Sequence, residues 1–282
     1  MISSWKTWIV SQEVLRADIK VFMADEQTIG ILVGAAPLGS EEEILKKITT
    51  DRKCKVTAVD GGLSFFVRNM AIEGTLGPDG YKAEGGCSTM AGLRPDYWIG
   101  DADSLAEGGV DISLVREIFP DLDIAPCSPI KDDSDMWLGA ESLAGEGIKT
   151  ILIFGGLGGE RFDHSIANLQ LLYAFAKKGI CVILISESSY SFMLSKEGES
   201  ITHEIRFKEN ENGYLSVLAF GTEAEVSVKN LYYEFEGILT PDKPLGLSNE
   251  FCGRGGEIRV LSGTVLVIRT GRLSPELLDL FR

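Results

Sequence analysis

The chain has 282 residues, 44% hydrophobic and 24% charged, which fits a globular protein and excludes disordered and fibrous classes. Its 27 basic and 42 acidic residues sum to a formal charge of −15, and no Lys/Arg-rich run is present to track a phosphate backbone, which argues against nucleic acid as a partner. The apolar runs end far short of the roughly 18 residues that a membrane span needs, and no signal segment can be drawn, so the chain reads as cytoplasmic with no membrane partner.

Residues 1–28 carry no functional motif. From there to residue 186, β-branched runs alternate with helical patterns, the strands falling at 29–35, 55–60, 97–101, 123–126, 150–155 and 181–186. Ser40 and Glu43 read as a capping box that opens a helix with Ile44, Leu45 and Ile48 inward. Further helices are expected at 63–71, 135–144 and 163–178, the last with Ile166, Leu169, Tyr173 and Ala176 on its buried face. This alternation predicts an α/β fold: a mostly parallel sheet covered on both faces. Residues 74–92 hold six glycines without periodicity and read as a long inserted loop.

After residue 190 the period changes to two, predicting strands at 204–208, 214–220, 224–228, 257–261 and 264–270, then a short helix opened by Ser274-Pro275. The polar stretch 186–200 reads as a linker. The expectation is two domains, an α/β catalytic domain over 1–188 and a smaller antiparallel β-sandwich domain over 189–282. Five scattered cysteines without a CxxC pair, and only two histidines, argue against a zinc site or a disulfide framework.

In an open parallel sheet, ligands bind beyond the carboxyl ends of the strands, and here those ends are acidic and glycine-rich. Strand two closes on Asp60-Gly61-Gly62 and strand three runs into Gly100-Asp101-Ala102-Asp103-Ser104. Strand four leads to Lys131-Asp132-Asp133-Ser134-Asp135, and strand five to a glycine run at 155–159 followed by Glu160-Arg161-Phe162-Asp163-His164. Asp133, Ser134 and Asp163 read as helix caps at least as readily as chemical groups. Asp101 and Asp103, one residue apart, repel each other, and capping requires only one of them. A hard cation such as Mg²⁺ would stabilise the pair, with Asp135 as a further oxygen donor or simply a favourable first-turn charge. Four glycines in five residues, at 155, 156, 158 and 159, exceed what a turn needs and favour a phosphate cradle, with Arg161 as a bidentate donor. His164 is open between packing and proton transfer.

The ordered set VDGG (59–62), RPDYWIGDADS (94–104), KDDSD (131–135), GGLGGERFDHSIANLQLL (155–172) and GLSNEF (246–251) resembles thiamin pyrophosphokinase over roughly 29–270. The resemblance implies transfer of pyrophosphate from ATP to the hydroxyethyl oxygen of thiamin, giving thiamin diphosphate and AMP with Mg²⁺, in a homodimer. It implies Asp101, Asp103, Asp135, Arg161 and Asp163 as catalytic, with Mg²⁺ on Asp101, Asp103 and Asp135. ATP would meet Asp60, Gly61, Lys131, Asp132, Gly156, Gly158, Gly159, Arg161 and His164. Ser248 and Asn249 are assigned to thiamin by the resemblance alone. The stretch Asn230-Leu231-Tyr232-Tyr233 departs from the family's usual pattern. The rivals are the same transfer to a hydroxymethyl pterin and a non-catalytic binding protein for nucleotide or thiamin.

Overall fold

The computed structural model describes residues 28–69, 93–100, 111–126, 133–159, 161–200 and 202–270. The glycine-rich segment 74–92, the Ser274-Pro275 helix, and the site residues Asp101, Asp103, Lys131 and Asp132 lie outside the described residues.

Six strands run parallel: β1 (Ile29–Val33), β2 (Cys54–Val59), β3 (Tyr97–Gly100), β4 (Asp123–Pro126), β5 (Thr150–Phe154) and β6 (Cys181–Ser186), in the order β6-β5-β1-β2-β3-β4. Among the described residues five helices accompany them: α1 (Glu41–Asp51), α2 (Leu63–Asn69), α3 (Ile112–Ile118), α4 (Asp135–Gly145) and α5 (Phe162–Lys177). Alternate strand residues face opposite sides, so Ile31 and Val33 of β1 join Leu45, Ile48 and Phe66 in one core, while Leu32 joins Met136, Leu143 and Phe175 in the other. Both faces of the parallel sheet are thus covered, as the alternation predicts.

The sheet does not stop at β6. Residues 186–200, expected as a linker, contain β7 (Ser189–Ser195), which turns back on β6 through a tight hairpin. Tyr190, Phe192 and Leu194 occupy one face of β7 and are buried. On the other face Ser191 and Ser195 are buried beside Met193, and the Ser195 hydroxyl is paired, its Oγ lying 2.6 Å from Thr264 Oγ1. That is why a polar composition still yields a core strand.

The remaining strands are β8 (Glu204–Phe207), β9 (Tyr214–Ala219), β10 (Ala224–Lys229), β11 (Phe235–Leu239), β12 (Asn249–Glu250), β13 (Gly256–Ser262) and β14 (Thr264–Thr270). β7, β14, β9 and β12 extend the first sheet antiparallel to ten strands, and β11-β10-β13-β8 form a separate antiparallel sheet. Val226, Val228, Ile258 and Val260 of the small sheet pack with Phe192, Val217, Val265 and Val267 of the large one, which closes a β-sandwich. The division expected at 188/189 therefore falls inside a hairpin of one continuous sheet.

Two local expectations are corrected. Ser40 precedes α1 with helical backbone and makes no side-chain cap, its hydroxyl meeting the Glu187 carbonyl at 3.5 Å. The Glu41 carboxylate turns back on the chain before the helix and accepts from the Gly39 N–H at 3.0 Å. On α5 the buried face is Ser165, Asn168, Leu171, Leu172, Phe175 and Ala176, which leaves Ile166 43% exposed. The inward face thus turns by about one residue from the apolar stripe, because two polar side chains face inward at its N-terminal end.

Candidate active site at the carboxyl edge of the sheet

The strand order reverses between β1 and β5, whose parallel neighbours extend in opposite directions, and a crevice forms at such a point. Both strands leave it through glycine. The Gly34 N–H donates to the Phe154 carbonyl at 2.8 Å, and that of Ala36 to the Gly155 carbonyl at 3.1 Å. A Cβ on Gly34 would stand 2.6 Å from the Gly155 carbonyl oxygen, and one on Gly155, where φ is +63°, 2.7 Å from that of Gly34. Only two glycines allow this approach.

β2 ends in a 3₁₀ turn, Asp60–Gly62. Asp60 has φ +52°, a left-handed backbone that a side chain adopts at a cost. The turn is wedged from two sides: a Cβ on Gly62 would overlap the Val33 carbonyl oxygen, and one on Gly100 would lie 2.8 Å from Asp60 Cα. Trp98, fully buried on β3, donates its indole N–H to the Asp60 carbonyl at 3.1 Å. Asp60 Oδ1 is a buried atom. Sequence reasoning places Asp60 at this edge and misses Trp98, which holds it.

α4 starts where the chain returns from β4. Ser134 caps it, its hydroxyl accepting from the Trp137 N–H at 3.2 Å, which bears out the capping reading of that residue. Asp135 occupies the first turn and is half-buried. The helix crosses β3, β2 and β1, and Gly139 lets it approach Leu32, Val59 and Ile99.

The glycine run after β5 is anchored from α5. The Gly156 carbonyl accepts from Asn168 Nδ2 at 2.7 Å, and the Gly158 N–H donates to Ser165 Oγ at 3.1 Å. Gly158 and Gly159 both have positive φ, and the space a Cβ on Gly158 would fill is open. Arg161 and Asp163 are exposed and face each other in two parallel bonds, Nε to Oδ1 at 3.0 Å and Nη2 to Oδ2 at 2.7 Å. The Arg161 hydrogen bond holds the Asp163 carboxyl down at about 2. One edge of the guanidinium is thereby occupied, and a ligand would meet the other. His164 is exposed in the first turn of α5, its N–H donating to the Arg161 carbonyl at 3.1 Å.

Ser248 and Asn249 stand at the far end of the ten-stranded sheet. Ser248 is exposed with φ +57°, its N–H donating to Ser216 Oγ at 3.0 Å. The Asn249 amide is committed within the fold: Oδ1 accepts from the N–H groups of Tyr233 and Glu250, each at 2.9 Å, and Nδ2 donates to the Tyr233 carbonyl at 2.7 Å. It fixes Tyr233, whose ring, with that of Tyr232, is about two-thirds exposed.

Among the described residues no group of three or more His, Cys, Asp or Glu side chains gathers to hold a metal. Asp60, Asp133, Asp135 and Asp163 are described carboxylates of this edge, and β3 ends at Gly100 directly against Asp60. Oxygen donors of this kind suit a hard divalent cation.

An open α/β sheet with glycine turns at its strand-order reversal and carboxylates along the same edge, continued into a β-sandwich, defines an α/β protein whose carboxyl edge is the candidate ligand site. Residues 47–184 match the model of "Thiamin pyrophosphokinase, catalytic domain". It is 29% identical over 182 residues to the thiamine pyrophosphokinase of Bacillus subtilis, a match covering 64% of this chain and 80% of that protein. The fold resembles the crystal structure of Bacillus subtilis thiamine pyrophosphokinase, with TM-score 0.66 and 23% identity over 88% of this chain and all of that one. It also resembles the yeast enzyme, with TM-score 0.65 and 15% identity over 94% and 92%.

Proposed function

We propose that this chain is a thiamin pyrophosphokinase that transfers the terminal pyrophosphoryl group of ATP to the hydroxyethyl oxygen of thiamin, with Mg²⁺. The observation that carries the reading is the position of the catalytic-domain match: residues 47–184 run from before β2 into β6 and include the edge turns from Asp60 to the glycine run at 155–159. The thiamin oxygen attacks the β-phosphorus and loses its proton. The bond between that phosphorus and the oxygen bridging to the α-phosphorus breaks, and AMP departs with the bridging oxygen.

Such a transfer asks mainly for positioning and charge neutralisation. Asp101, Asp103 and Asp135 would hold the Mg²⁺, with Asp60 beside them. When bound, the cation neutralises phosphate charge that the chain, at −15 overall, otherwise repels. The glycine loop and the N-terminal turn of α5 offer backbone N–H groups to the phosphates, and Arg161, oriented by Asp163, adds a fixed cation. Ser248 and the tyrosines fixed by Asn249 are assigned to thiamin. The exposed Tyr232, Tyr233, Leu245 and Leu247 support a homodimer that covers them, and a cytoplasmic location goes with this reading.

The test measures AMP released from ATP with thiamin, with a hydroxymethyl pterin, and with neither. The expected result is Mg²⁺-dependent AMP with thiamin alone, abolished by chelation and in Asp101→Asn and Asp103→Asn. AMP only with the pterin would make the enzyme a pterin pyrophosphokinase, and nucleotide binding without AMP would make it a binding protein. Sedimentation at working concentration reads the dimer, and a monomer mass would remove it.

A further inference from the structure

The N-terminal end of the buried face of α5 holds two polar side chains, Ser165 and Asn168, at 7% and 5% exposure. Packing alone would put apolar groups there, because a buried hydroxyl or amide costs free energy unless it is hydrogen-bonded. Both meet the backbone of the preceding loop: Asn168 Nδ2 donates to the Gly156 carbonyl at 2.7 Å, and Ser165 Oγ accepts from the Gly158 N–H at 3.1 Å. Spaced three apart, they sit on one side of the helix and grip the loop two residues apart.

Gly156 is pressed against the sheet: a Cβ there would lie 2.6 Å from Ile153, 2.7 Å from Leu184 and 3.2 Å from Asn168 Nδ2. The loop then rises through two left-handed residues, Gly158 and Gly159, with open space above Gly158. Such a segment has no intrinsic reason to keep one shape, since glycine samples both signs of φ freely. Two bonds from a sixteen-residue helix supply that reason.

We infer that Asn168 and Ser165 are positioning residues for the reaction, fixing the Gly155–Gly159 loop in the shape that receives the ATP phosphates; the inference rests on the pyrophosphokinase reading above. Asn168 sets the height of the loop at Gly156. Ser165 takes up the Gly158 N–H, so that this group does not compete for phosphate and the neighbouring amides are aimed. Neither side chain touches substrate.

The experiment compares Asn168→Ala, Asn168→Asp, Ser165→Ala and Ser165→Thr in the full chain. For each, KM for ATP, KM for thiamin, kcat and Tm are measured, with ATP binding by calorimetry. Asp fills the space of Asn without the N–H donor, and Thr keeps the hydroxyl. The expected result is a rise of about tenfold in KM and Kd for ATP in Asn168→Ala, Asn168→Asp and Ser165→Ala, with KM for thiamin within twofold and Ser165→Thr close to the parent. A general loss of fold would move both KM values together, and Ser165→Thr would not restore ATP affinity selectively. ATP affinity unchanged in both Asn168→Asp and Ser165→Ala, while the parent turns over, would overturn the positioning role alone. A parent that neither binds ATP nor forms AMP would overturn both this inference and the proposed function.

Discussion

Trp98→Phe tests whether the turn carrying Asp60 is held from the core. The indole is 1% exposed, and its N–H is the donor to the Asp60 carbonyl at 3.1 Å. Phenylalanine fits the same channel but is smaller by about 40 Å³, which at about 24 cal/mol per Å³ costs about 1 kcal/mol if the site does not collapse. The half-buried carbonyl loses its donor, at about 1–2 kcal/mol. The sum is about 2–3 kcal/mol, to be set against a typical total stability of about 5–15 kcal/mol, so the variant still folds. Asp60 sits at φ +52°, and a non-glycine residue there carries about 1–2 kcal/mol of strain, so releasing the clamp lets the turn relax away from the catalytic shape.

Urea unfolding followed by far-ultraviolet circular dichroism reads the first quantity, and KM for ATP at limiting Mg²⁺ the second. Trp137→Phe is the control. That ring stacks edge-on to Phe175 at 5.4 Å on the opposite face of the sheet, so its loss lowers stability without moving KM. A Trp98→Phe loss below about 0.5 kcal/mol with parental KM would refute the clamp, because the cavity and the half-buried carbonyl left without its donor together should cost about 2–3 kcal/mol.

Asp60→Gly removes the left-handed strain and the carboxylate together, so its melting temperature should hold or rise while AMP formation falls at least tenfold. Loss of both stability and activity would show the carboxylate to be a structural group. Asn249→Ala leaves the Tyr233 and Glu250 backbone groups without their partner and should cost about 1–3 kcal/mol in urea unfolding as well as raise KM for thiamin. Ser248→Gly, at φ +57°, should hold or raise stability. Asp163, held at about 2 by Arg161, has a folded pKa below its ordinary value near 4. Its stabilising effect is therefore full above about pH 4 and is lost as pH falls through about 2, leaving pH 5–9 flat. Carboxyl NMR should show its titration moving up in Arg161→Ala, and an unmoved midpoint would mean that the pair does not form in solution.

The parallel half was legible because each strand there is a short β-branched run between helical patterns, and Ile44, Leu45 and Ile48 are buried as their spacing predicts. β7 was not, because its serines read as linker. Yet the alternation of Tyr190, Phe192 and Leu194 was present and is the signal that should have outweighed composition. β11 is likewise an alternating strand, Phe235 and Leu239 inward with Glu236 and Ile238 outward, masked by its charge. At the site, acidic and glycine turns after strands are local text and could be read, whereas their supports could not. Trp98 acts across from a neighbouring strand, and the amide of Asn249 is spent on a turn sixteen residues earlier. Asn168 and Ser165 had a readable signal: polar residues three apart, inward on a helix that opens from a glycine run.

Much of the carboxyl edge is backbone rather than side chain, and this decides where substitutions matter. Gly34, Gly62, Gly100, Gly155 and Gly156 pack main chain against main chain or core at distances no Cβ permits, so β1, β2, β3 and β5 are locked at one height beneath the site. Side chains presented above this floor, such as Asp135, Arg161 and Asp163, are partly or fully exposed and can change with little effect on the fold. A methyl group at Gly62 would meet the Val33 carbonyl head-on and has no flexible neighbour to displace, so Gly62→Ala should prevent folding. Gly158→Ala meets nothing, and its cost is confined to a left-handed φ of +78°, about 1–2 kcal/mol. Soluble expression and thermal unfolding of the two variants separate these cases. A folded Gly62→Ala protein would mean that the strand ends are not locked together, and the site would then owe its shape to its ligands.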